Sequence, residues 1–234
     1  MRQLDDNPDY SRAFHDGVDI TYTLQNDTGS VAERYTLHVH TMGELVVTSG
    51  HILACDPELM FETPSFADTV PPGRYPVILS VAEMPSRDQR VAYALLRLSE
   101  HAAVRWEMAA PQGQTLRALK PGEAFGYSVD FGTGCFMDID VPRELVAQEA
   151  ARTDITDESA QFYVRLDDMQ HKTYLPTWSW ADLVVDETTG ANIITFSSGW
   201  GDGYYPSYWG YDAADQRVAL VTDFGVLDQS WLAR

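Results

Sequence analysis

From Val18 onward the chain is built of short runs in which apolar and β-branched residues dominate or alternate with polar ones. Ile20-Thr21-Tyr22-Thr23-Leu24, Tyr35 to His40 and Glu44 to Thr48 read as strands, with Asn26 to Ser30 and Met42-Gly43 as turns between them. His51 to Asp56 reads as a buried strand stopped by Pro57, which places Asp56 at a strand end. Arg74 to Val81 and Arg90 to Leu98 form neighbouring strands joined by a polar hairpin, Met84 to Gln89. Val104 to Ala109 alternates with period two, as a half-buried strand does. Phe125 to Asp138 reads as strand, Gly-rich turn and strand, with Asp130 and Asp138 on either side of the turn. Asn192 to Ser197 and Gln216 to Thr222 are further strands.

Two segments break this pattern with helical spacing. Pro142 to Arg152 carries proline in its first turn, with Leu145, Val146 and Glu149 spaced for packing on one face. A second helix is expected from Glu158 to Met169, capped by Thr156 or Asp157. The fold class that follows is mainly β, a β-sandwich or partly closed barrel, with one or two short helices between strands. Residues 1–17 form an acidic N-terminal arm or a short capping helix, and residues 18–234 a single β-rich domain.

The segment Gly199 to Gly210 stands apart: four glycines, five aromatics and one carboxylate in twelve residues suit neither helix nor strand. It is expected to be a rigid, aromatic-walled loop presenting Asp202, with Trp200, Tyr204, Tyr208 and Trp209 as contact residues, facing the turns of Asp56 and Asp130. Asp56, Asp130, Asp138, Asp202 and Asp223 all fall at strand ends or Gly-rich turns, where a sandwich gathers its loops. If three or four converge they make an oxygen-rich site for Ca²⁺ or Mg²⁺; otherwise each caps its own turn. No EF-hand loop, His-Glu-x-x-His helix, phosphate loop or Gly-x-Ser-x-Gly elbow occurs. A hydrolase would instead need one of these carboxylates beside His51, Tyr75 or Tyr204.

The net charge of −19 sharpens the partner class. Residues 121–234 hold 19 acidic and 6 basic groups, residues 1–120 hold 16 and 10, so the excess lies with the candidate site. Such a field repels nucleic acid, and Arg217 and Arg234 are the only basic residues after Lys172. It attracts cations or a basic protein surface. The two cysteines, Cys55 and Cys135, each lie in an apolar stretch and read as buried free thiols. No apolar run is long enough to span a bilayer and the first residues lack a signal-peptide pattern, so no membrane association and a cytoplasmic location are expected.

Glu44-Leu45, Ser49-Gly50 and Ala54-Cys55-Asp56-Pro57, then Pro72 to Val77, Val129 to Asp138, Ser198 to Tyr204 and Asp223-Phe224, occur in an order that resembles the bacterial family called domain of unknown function 4241. The resemblance covers about residues 40–226. It implies a mostly β domain in bacteria, associated with toxin and immunity loci, and supplies no activity. The functional expectation is therefore a binding protein that neutralises a basic toxin domain through its acidic half and aromatic loop. The alternative is a divalent-metal-dependent hydrolase or calcium-dependent binding domain using the five aspartates.

Overall fold

The computed structural model describes residues 8–26, 29–151 and 161–233, which form thirteen strands and two α-helices. Sheet A is a curled half-barrel of seven strands in the order β1 (Asp19–Asn26), β2 (Gly29–Val47), β4 (Gly73–Glu83), β5 (Gln89–Arg97), β13 (Arg217–Asp223), β12 (Ser207–Tyr211) and β6 (Arg105–Met108). Sheet B has four, in the order β3 (Ile52–Cys55), β8 (Thr133–Asp138), β10 (Ala191–Ser197) and β9 (Trp180–Asp186). A small ribbon pairs β7 (Tyr127–Val129) with β11 (Gly203–Tyr205), and α1 (Asp140–Ala151) and α2 (Phe162–Thr173) complete the set. All the pairings are antiparallel.

The central strands are apolar on both faces because the molecule has more than two layers. In β4, Val77, Leu79 and Val81 point between the sheets, while Ile78 and Ala82 point to the far side of sheet A. That far side is closed by a 3-10 turn at Tyr10–Phe14 and another at Gln229–Leu232. In sheet B, Ile52, Ala54, Phe136, Ile194 and Phe196 face the inter-sheet core, and Leu53, Cys55, Cys135, Met137 and Ile193 face α1 and α2. The two sheets are also stitched by Asn192, whose buried amide accepts from the Val46 N–H at 2.8 Å and donates to the Glu44 carbonyl at 3.0 Å.

Several expectations are corrected by the packing. Within residues 1–17, the described part, from Pro8 on, holds the 3-10 turn Tyr10–Phe14, in which Tyr10 and Ala13 are fully buried; burial of a large side chain such as Tyr10 contributes roughly 1.5–3 kcal/mol. Met42-Gly43 is no turn; β2 runs through it with a bulge, and a Cβ at Gly43 would collide with the Asp182 carboxylate. The helix expected from Pro142 starts at Asp140, with Val141, Pro142 and Leu145 inward and Val146 exposed. The second helix runs from Phe162 to Thr173, four residues beyond Met169; the caps expected at Thr156 or Asp157, like the connection at residues 27–28, lie outside the described residues.

Candidate functional site

The segment 199–210 divides into a short loop and two strands. Residues 199–202 alone form the loop, where Gly199 (φ +52°) and Gly201 (φ +107°) adopt conformations that side chains disfavour. Residues 203–205 are β11 and 207–211 are β12. The other two glycines, Gly203 and Gly210, lie in strands: Gly210 sits opposite Trp106, whose ring lies 2.8 Å from where a Cβ would be. This separates the expected contact residues. Trp209 is 1% exposed and fills the inter-sheet core against Phe66, and half-buried Tyr208 stacks on Tyr10 at 4.7 Å on the far side of sheet A. Trp200 (59% exposed) and Tyr204 (56%) remain at the surface.

The five aspartates occupy three separate places. Asp138, fully buried at the end of β8, accepts from the N–H groups of Thr48, Ser49 and Gly50 (2.9–3.2 Å), from the Ser49 hydroxyl (2.7 Å) and from the Asp140 N–H (2.9 Å). Asp223 is buried on the far side of sheet A, where it accepts from Gly225 N–H, the Gln229 amide and the Tyr10 hydroxyl. Burial outweighs these bonds and raises its carboxyl pKa above the ordinary range. Asp56, Asp130 and Asp202 do come together, around the turn between β7 and β8. Asp56 Oδ2 accepts from the N–H groups of Asp130 (3.0 Å) and Phe131 (2.9 Å), and Asp202 Oδ1 accepts from that of Gly132 (3.1 Å). Two carboxylates thus hold three consecutive amides, and Asp130 itself points outward. Among the described residues no group of three or more His, Cys, Asp or Glu is placed to hold a metal ion.

This clamped turn presents Phe131, 66% exposed, as a ridge between two features. On one side lies the 199–202 loop, locked by the Ser198 N–H bond to the Gly132 carbonyl (3.1 Å) and the Tyr205 hydroxyl bond to the Gly201 carbonyl (2.7 Å). Here Trp200 rests on the Arg90 guanidinium, 5.2 Å from its ring centre, and Tyr204 accepts from the Gly126 N–H. On the other side is a groove of about 190 Å³ lined by Asp56, Glu58, Phe131, Tyr163, Asp167 and Gln170. Its elements are the 3-10 turn Pro57–Leu59, N-capped by the Asp56 carboxylate, and α2. Partial burial, then the Asp56 carboxylate, raises the pKa of Glu58. Burial followed by Glu58 pushes the Tyr163 phenol up to about 12. The groove is therefore lined by both carboxylates and aromatic rings.

Glu58, Phe131, Tyr163, Asp167 and Gln170 were not among the expected site residues. Their signal in sequence is faint: a second carboxylate two positions after Asp56, and an aromatic residue in the middle of a Gly-rich turn. A larger hollow, about 680 Å³ between α1 and α2, is lined by Met60, Phe61, Leu145 and Phe162 and contains none of the expected residues.

Fold and surface together define a two-sheet β domain with helices over one sheet and an acidic, aromatic end. The chain matches the family model described as protein of unknown function (DUF4241) over residues 45–222, and it belongs to that family. No curated protein and no solved structure matches it.

Proposed function

We propose that this domain is a binding protein for a basic protein partner, in the manner of an immunity protein that neutralises a cationic toxin domain. The observation that carries the reading is the groove beside Phe131. Glu58 and Asp167 line it together with the rings of Phe131 and Tyr163, a combination suited to a lysine or arginine side chain, while the buried Asp56 carboxylate holds the turn in place. Phe131, Trp200 and Tyr204 add large, anchored aromatic area next to it, the residue type that dominates binding hot spots. The net charge of −19 would speed encounter with a cationic surface and keep other acidic macromolecules away.

Site-specific binding separates this reading from diffuse attraction to an acidic surface. With synthetic peptides carrying single lysine or arginine residues, Glu58→Gln and Phe131→Ala should each weaken binding by about tenfold or more, the loss typical of a hot-spot residue. Asp186→Asn, in the β9–β10 turn at the opposite end of sheet B, removes the same formal charge as Glu58→Gln and should leave affinity within about twofold. Equal losses in all three, or an association rate indifferent to salt, would remove the proposal.

A further inference from the structure

Cys55 and Cys135 are the only two cysteines in the chain, 80 positions apart, yet they face each other directly across β3 and β8. Their sulfurs are 3.6 Å apart, and the Cys135 thiol donates to the Cys55 carbonyl at 3.1 Å. Directly opposed antiparallel residues have Cα atoms about 4.5–5.5 Å apart, inside the range that a disulfide spans. Closing the remaining gap to a bond of about 2.0 Å calls for rotation about the side-chain bonds.

We propose that Cys55 and Cys135 are a redox-modifiable dithiol that a low-molecular-weight disulfide, such as glutathione disulfide, converts to an intramolecular disulfide. One thiolate attacks a sulfur of the oxidant, forming a mixed disulfide and releasing one thiolate. The second cysteine attacks the protein-bound sulfur of that mixed disulfide and expels the second glutathione. The two thiol protons pass to the two leaving glutathione thiolates; the protein loses two electrons and the oxidant gains them. The pair lies beneath Met60 and Leu166, in the layer between sheet B and the helices, and Leu166 also lines the acidic groove. Burial raises the Cys55 thiol, so reaction is slow in the closed fold and proceeds when α2 lifts locally from the sheet.

The bond would act next to the surface already described. Cys55 immediately precedes Asp56, whose carboxylate holds the 130–131 amides, and Cys135 lies four residues beyond Phe131. Oxidation would fasten both ends of that clamp covalently, independently of what the surface binds.

The test is incubation of the whole protein in buffers of graded glutathione to glutathione disulfide ratio, in water and in urea below the unfolding transition so that access does not limit the result. Expected are concerted loss of both thiols, a mass decrease of two hydrogens and a 55–135 cross-linked peptide. Melting temperature should rise by about 5–10 °C and return on reduction. Cys55→Ala and Cys135→Ala should show no such rise. Two thiols persisting at every ratio, independent glutathione adducts on each cysteine, or cross-linking between molecules would overturn the proposal.

Discussion

Asp138 accepts five hydrogen bonds, three of them from consecutive backbone amides in the bend between β2 and β3. Alanine there leaves those donors facing a buried void, and the loss should be roughly 3–5 kcal/mol, read from urea unfolding. Asparagine, which keeps one oxygen, should cost less. Asp223 is the second buried carboxylate whose loss can be read. Its burial raises the folded-state pKa, so the native protein holds that proton to higher pH than the unfolded chain does. Below the ordinary aspartate pKa the group makes no difference; as pH rises through the raised value it subtracts stability, and the deficit persists above it. Asp223→Asn abolishes the penalty. Its stability relative to wild type should therefore increase between acidic and neutral pH, with the Gln229 amide turned to offer its oxygen; a constant difference across that range would show that Asp223 is not the titrating group. Asp223 accepts from only three neutral donors and has no cation to offset its desolvation.

At the scale of elements, the alternation of apolar residues made most strands legible, and the proline in its first turn did the same for α1. What escaped was β9, β11 and β12. In β11 and β12 glycine and tyrosine sit side by side, a composition that reads as loop until the partner strands are known. Gly210 is compatible with a strand because Trp106 on β6 covers it, a long-range fact absent from the local sequence. The site was half legible for the same reason. Asp56, Asp130 and Asp202 could be chosen because turns are locally encoded, and these three do meet at one turn. Phe131 was hidden by its plain apolar character. Tyr163 and Asp167 were hidden because their relevance depends on where α2 lies against the 3-10 turn after β3. Tyr208 and Trp209, consecutive residues of β12, face opposite sides of the strand and were drawn into two different cores.

Across the whole molecule the layers divide the work. Sheet A and its terminal 3-10 turns form a closed support, sheet B carries the dithiol, and the turns at one end of sheet B carry the acidic, aromatic surface. Net charge acts on all of this at long range, which is why attraction of cations alone would not distinguish a site from a field. The central claim is that a basic side chain enters the groove beside Phe131. The most direct measurement is an amide nitrogen–proton NMR titration with a short peptide bearing one lysine or arginine, at physiological ionic strength. Shifts that saturate and concentrate at Glu58, the 130–132 turn and residues 163–170 are the predicted result. Shifts spread evenly over acidic surface residues, or centred on the 186–190 turn at the other end of sheet B, would contradict it.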